Sequence, residues 1–454
     1  MKPMFKSWSI LAALMLLLTS SGLMAQTNNE APSTSTFSLK EAQDYAVKNS
    51  FNVKSVRHDA KAAELQTKEL TGIGLPQLNG SVQYQNFIDL PTSIVPGEFF
   101  GAPGQDIKLQ FGVPQQMTAG LSASQLLFDG SWLVGLQASK AYAQLQQQQV
   151  QLSERDVRKN VMDAYGYVLI AEEGLQILLQ SKTLLENTLK ETNSLYKEGF
   201  IEEQTVEQLQ LNLNDVNNRI ANSETQLVLT KNLLKFTMGY PLNADITLTD
   251  KSDNLLLSNT EQVLASTYNP ESSLEFQLSK SALEMQELNL KNEKAKTLPN
   301  LAAFYNLQAQ ALRREFNFMD TSKPWFPVQL WGVQMNVPIF SGGRRYYSIQ
   351  RAKVNVLKSS EQLNFTKEAT NLQYLQAKTE YQNALGNYNL AKSSVELAER
   401  IQSKTLIKFK EGVATSFDLS QSNNQVIIAQ GNFVQAMMNL LSAQTKLQKT
   451  LNQL

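Results

Sequence analysis

The sequence predicts a mainly α-helical chain with a membrane β-barrel: duplicated long helical hairpins forming an α-helical barrel, and four barrel strands per chain. Three observations predict it. A heptad seam runs through the second half of the chain. The seam and its surroundings recur in the first half. Each half also carries a pair of alternating, strand-type segments just ahead of its long helix.

The seam reads Thr370, Tyr374, Ala377, Tyr381, Ala384, Tyr388, Ala391, Val395, Ala398, in steps of four and three. That spacing places one stripe of side chains on one helix face. Small residues alternate with large ones, so neighbouring backbones can come close while tyrosines fill the gaps. No proline follows Pro338, and the bracketing turn glycines are Gly342-Gly343 and Gly412. A helix over 344–410 is predicted, a rod of roughly 100 Å at 1.5 Å per residue. It must pack sideways on other rods.

Displaced by 213 positions, the first half reads Val157, Val161, Ala164, Val168, Ala171, Leu175, Leu178, Lys182, Leu185, Leu189, with only Lys182 breaking the apolar run. The following helices correspond at the same offset: Val206, Leu209, Leu213, Val216, Ile220 against Leu419, Ser422, Val426, Ala429, Phe433. So do the turns, Tyr196-Lys197-Glu198-Gly199 against Phe409-Lys410-Glu411-Gly412. The chain is an internal duplication of a long helical hairpin.

Composition narrows the function classes. The 454 residues carry 41 basic and 41 acidic side chains, with no dominant basic patch, which argues against nucleic acid as a partner. There is no cysteine, hence no disulfide framework or thiol chemistry, and a single histidine, His58. No cofactor, metal or catalytic residue is expected: one histidine cannot assemble a hydrolase triad, and no carboxylate pair has recognisable placement.

In order, residues 1–25 form a signal peptide: Lys2 and Lys6, an apolar run from Ile10 to Leu18, and a small-residue cleavage site after Ala25. Its removal leaves 39 basic against 41 acidic residues. Nothing later resembles a membrane-spanning helix, so the mature chain is either soluble after export or crosses a membrane as a barrel. Residues 26–37 are polar and expected to be flexible. The first repeat spans 38–242, opening with Ser38 and Glu41 as a capping box. It has a strand pair at about 78–128, split by a Pro/Gly-rich insertion, and a helical hairpin at 131–238. A connector, expected to lie around the middle of the body, covers 243–270. The second repeat spans 271–454, with a strand pair at about 300–340 and a hairpin at 344–453.

Four strands cannot close a barrel, and small barrels need about eight. Apolar-out alternation is expected on every strand, with aromatics Tyr84, Phe87, Trp325, Phe326 and Trp331 near strand ends, as suits a lipid-facing wall. Three copies would pool twelve strands.

The junction Val337-Pro338-Ile339-Phe340-Ser341-Gly342-Gly343-Arg344-Arg345, the Leu-Pro breaks at Pro76 and Pro299 and the paired Lys-Glu-Gly tips together resemble the outer membrane efflux protein (TolC-like) family. The resemblance covers essentially all of the mature chain. It implies a homotrimer in the outer membrane of a Gram-negative cell, extending into the periplasm. It also implies a passive export duct serving a tripartite efflux or type I secretion system. Its partners would be a periplasmic adaptor, or membrane fusion protein, an inner-membrane pump and outer-membrane lipid.

The resemblance further implies a pore constriction near Asp418, six residues past Gly412; the other reading of Asp418 is a helix-start or surface residue. Other positions of the family's ionic lock hold Gln421, Ala414 and Thr205, so closure would rest on packing and on uncharged side chains such as Gln204, Thr205 and Gln421. The tips, with Lys197, Gly199, Lys410 and Gly412, are candidate adaptor contacts or plain helix turns. Phe340, Gly342, Gly343 and Arg344 form the strand-to-helix junction; it lacks the residues of a phosphate loop and reads as a tight bend. Its arginines would meet lipid headgroups or neighbouring helices. A periplasmic adaptor and an exported coiled-coil structural protein are the alternatives. The first has one hairpin rather than two, and the second has no use for four amphipathic strands.

Overall fold

The computed structural model describes residues 35–101, 103–257 and 265–454. The expected signal peptide and most of the segment expected to be flexible lie outside the described residues. The elements run β1 (Ser35–Phe37), α1 (Leu39–Asn49), α2 (Phe51–Ile73), β2 (Gln77–Asn86), β3 (Thr92–Pro96), β4 (Asp106–Gln110), β5 (Gln115–Asp129), α3 (Gly130–Lys197) and α4 (Glu203–Met238). Then follow β6 (Ile246–Leu248), α5 (Ser252–Leu257), α6 (Leu274–Ala295), β7 (Asn300–Arg313), β8 (Phe326–Asn336), α7 (Arg344–Lys410) and α8 (Ser416–Thr450).

The long helices have 68 and 67 residues, about 100 Å each, and their return helices 36 and 35. A return helix therefore covers only half of its long partner. The other half is covered by a shorter helix, α2 beside α3 and α6 beside α7. The pieces meet end to end. Gly239, in the left-handed conformation that closes α4, lies against the Asn49 carbonyl at the α1–α2 corner, where a side chain would not fit. At the end of α8, Asn452 donates to the Ser272 carbonyl just ahead of α6.

The seam sits where the spacing placed it. Thr370, Ala377, Tyr381, Tyr388 and Ala398 are buried, and Ala377, Tyr381 and Tyr388 share one core with Val161, Tyr165 and Val168 of α3. Met437, Leu440 and Leu441 of α8 close that core, and Leu185, Leu213, Val216, Ile220 and Ile427 form a second cluster farther down the hairpins. Helices α3 and α8 touch at Gly166, where a Cβ would fall 2.3 Å from the Leu441 side chain.

Buried polar links hold this waist in register. Arg155 of α3 pairs with Glu275 of α6 at 2.5 Å and donates to Asn452 at 3.1 Å. The Tyr165 hydroxyl lies 2.8 Å from Asp250, whose carboxylate also accepts from the Leu39 backbone N–H.

Strands β2-β5-β7-β8 make one antiparallel sheet in that order, with strands of 10, 15, 14 and 11 residues, long enough for a barrel wall. The register gives it two faces. Leu78, Ala123, Tyr305 and Trp331 stand in one row, and Val82, Ala119 and Ala309 in another on the same side. Asn79, Ser122 and Asn306, and Ser81, Gly120 and Gln308, stand opposite.

Four sequence expectations need correction. First, apolar-out alternation fails in the first half of β8, where Phe326, Val328 and Leu330 fall on the otherwise polar face, opposite Gln310, Gln308 and Asn306, and holds from Trp331 to Asn336. Second, Ser35–Phe37 of the supposedly flexible segment form a strand, paired in parallel with β6 of the connector, with Phe37 packed into the core. Third, the Pro/Gly-rich insertion contains its own hairpin, β3–β4. Fourth, α8 is long and apolar enough to cross a membrane, but half of that stretch is buried within the chain.

Gly166→Ala is expected to lower the thermal midpoint, at a cost of about 1–3 kcal/mol for overpacking. Adding Leu441→Ala should recover part of that loss in a double-mutant cycle read by thermal unfolding.

Candidate gate, hairpin tips and strand-to-helix junction

Both tips have the same local geometry. Gly199 and Gly412 adopt φ of 80° and 73°. Their N–H groups donate to the Tyr196 and Phe409 carbonyls, and the next residues, Phe200 and Val413, donate to the Leu195 and Lys408 carbonyls. This pair of bonds satisfies the last carbonyls of each long helix. It also pushes Phe200 and Val413 outward, 76% and 72% exposed, beside the exposed Lys197 and Lys410. Phe417 adds a third exposed apolar side chain.

Just past the second tip, Thr415 caps α8. Asp418 closes a capping box: its carboxylate accepts from the Thr415 hydroxyl at 2.7 Å and from the Thr415 N–H at 2.9 Å. These two bonds, the hydroxyl first, hold the Asp418 carboxyl below its usual range. Asp418, Gln421 and Gln204 are exposed, whereas Thr205 is buried in the single chain.

Apart from Lys410, the links between the two hairpins are made by residues the sequence reading did not select. Lys410 pairs with Glu191 at 2.5 Å, Asn212 donates to Ser420 at 3.0 Å, and Ser181 donates to Gln430 at 3.4 Å. Within the second hairpin Gln402 donates to Asn423 at 2.8 Å. All lie on faces set by how the helices dock, which no single-helix period encodes.

At the junction, Gly342 and Gly343 take φ of 58° and 80°, a bend that L side chains rarely adopt, and Arg344 opens α7. Arg345 clamps the bend by donating to the Pro338 carbonyl. Ile339 and Phe340 stand almost fully exposed, followed by exposed Tyr346 and Tyr347. Among the described residues no group of three or more His, Asp or Glu side chains is arranged to hold a metal.

A family model described as outer membrane efflux protein matches residues 44–240 and 271–453. No curated protein sequence matches the chain. Among solved structures it is similar to CusC, described with transmembrane channel formation, at 14% identity and TM-score 0.71, covering 91% of each chain. It is similar to the MtrE outer membrane channel of Neisseria gonorrhoeae at 14% identity and TM-score 0.70, covering 91% of this chain and 88% of that one. For the CmeC outer membrane channel of Campylobacter jejuni the figures are 16% and 0.68, with 91% and 85% covered.

Because the Asp418 carboxyl is depressed, its cap contributes fully above the ordinary value of 3.8 and is lost as pH falls through the lower folded value. Amide exchange in the first turn of α8 should therefore accelerate only in acid, and Asp418→Ala should accelerate it already at neutral pH.

Proposed function

The chain belongs to the outer membrane efflux protein family, and from that premise we propose that three copies form a passive export duct from periplasm to exterior. The carrying observation is the unfinished sheet: β2 and β8 each have one strand neighbour, and each leaves one edge open. Open edges are not tolerated in lipid, where every backbone N–H and C=O needs an internal partner. Pairing β8 of one copy with β2 of the next satisfies both and closes twelve strands.

The exposed row Phe365, Leu372, Leu390 and Leu397 on α7, the helix that follows edge strand β8, supports the same arrangement. Six hairpins then continue the tube into the periplasm. The inward ends carry the constriction, with Asp418, Gln421 and Gln204 as exposed lining candidates and the Lys410–Glu191 and Asn212–Ser420 links holding the hairpins together.

The exposed tips suit docking of a periplasmic adaptor that connects to an inner-membrane pump: an apolar knob follows each tip glycine, flanked by lysine. The duct performs no covalent chemistry. Its work is to offer a water-filled path whose width and charge select what passes.

Planar-bilayer recording on the purified mature chain tests the duct. Small, cation-selective openings from a trimer are expected, less selective in Asp418→Ala and larger in Glu191→Ala. A chain that never inserts would overturn the reading. Phe200→Asp with Val413→Asp should leave conductance unchanged while abolishing efflux in cells, as measured by substrate accumulation.

A further inference from the structure

The two repeats treat one place differently. Where α2 ends and α3 begins, the Trp132 indole lies against Gly74, within 2.3 Å of where a Cβ would stand, and donates to the Leu70 carbonyl. The junction is thereby sealed with a neutral ring. At the same offset of 213 positions, Trp132 corresponds to Arg345 and Ser131 to Arg344. Here the space between the end of α6 and the start of α7 stays open, a cleft of about 730 Å³ lined by Lys296, Arg344, Arg345, Arg351, Glu293 and Tyr347.

Its charge is one-sided. Glu293 is the single acid on the lining, and it is already engaged by Lys296 at 2.6 Å. Arg345 is held on the Pro338 carbonyl. Among the described residues the Arg344 side chain makes neither ion pair nor hydrogen bond, and Arg351, like Arg344, is exposed at the cleft. The fold does not require this excess of cations, because the duplicate junction does without it.

The surroundings identify the partner. Met335, Val337, Ile339, Phe340, Tyr346 and Tyr347 give an exposed apolar and aromatic collar beside the cleft, continuous with the apolar face of β8. Aromatic rings with adjacent cations at the end of a barrel strand mark the plane of the headgroups. A soluble anion would use the arginines and leave the collar in water; an anionic phospholipid satisfies both.

We propose that this cleft binds the phosphate of an anionic phospholipid of the inner leaflet, its acyl chains lying on the collar. Arg344 and Arg351 hold the phosphate, while Arg345 keeps the bend that presents them. The site rests on the membrane-duct reading and adds to it a lipid class and named residues.

The test is lipid retention by the detergent-purified full-length trimer in native mass spectrometry, with phosphatidylglycerol and phosphatidylcholine of matched chains. Wild type should retain phosphatidylglycerol preferentially. Arg344→Gln with Arg351→Gln should lose that preference by about fivefold per charge removed, and Arg344→Lys with Arg351→Lys should keep it. Lys404→Gln with Lys408→Gln, far down α7, serves as the control and should also keep it. Equal retention of the two lipids, or a preference untouched by the glutamines, overturns the proposal. So does full competition by millimolar inorganic phosphate, which would mean a free-anion site. Conductance of the same preparations separates this failure from failure of the duct: a conducting trimer without lipid preference sinks only the cleft.

Discussion

The edge hydrogen bonds of a four-stranded sheet govern the rest of this molecule. A strand edge left bare in hydrocarbon costs several kcal/mol for each unsatisfied group, so the strand order β2-β5-β7-β8 can exist in a membrane only as part of a larger ring. The helices inherit that order as α2, α3, α6 and α7. Neighbouring strands lie about 4.8 Å apart and packed helices about 8–10 Å, so every chain crossing between the layers must fan outward. Gly74-Leu75-Pro76, Leu298-Pro299 and Gly342-Gly343 sit at those crossings. They end one regular element and re-aim the next.

Below the fan, length is obtained by overlap. Each long helix bridges the gap between two shorter ones, and the joints at Gly239 and Asn452 are braced by the unbroken partner alongside. The waist, where Gly166 lets α8 approach α3 and where Arg155 reaches Glu275, ties the duplicated halves into one body. An ion pair such as this one specifies register more than it adds stability, since burial of the charges offsets much of their attraction. The tyrosines of the α7 seam supply the area.

What the sequence made legible was whatever repeats at short range. Heptad spacing marked the buried face of α7, and self-comparison at a fixed offset marked both hairpins and both tips. Two kinds of feature escaped. Pairings between distant residues, such as β1 with β6 or Lys410 with Glu191, depend on how elements dock, and a one-dimensional period carries no record of docking. Short strands such as β3 and β4, five residues each among prolines and glycines, give too few repeats of a period to stand out. The exposed tip residues Phe200 and Val413 could have been found, since each follows a turn glycine at matching positions. Thr205 was selected by correspondence with a family position, and its burial in the single chain depends on docking that the sequence does not record. Phe326, Val328 and Leu330 alternate as regularly as Trp331, Val333 and Met335, but on the opposite face, and only the register with β7 reveals the switch.

That switch bears on biogenesis. Before the ring closes, β8 is an edge strand whose first half carries Phe326, Val328 and Leu330 on one face and Pro327 and Trp331 around a single Gln329 on the other. A segment of that kind, with a free row of backbone donors and acceptors, pairs with almost any strand it meets, including another β8. A lone copy crossing an aqueous compartment is therefore on a clock set by its own concentration. Ring closure has to outrun self-association, which ties the production rate of the chain to the speed of its assembly and makes β8 the place where a holding chaperone has most to protect.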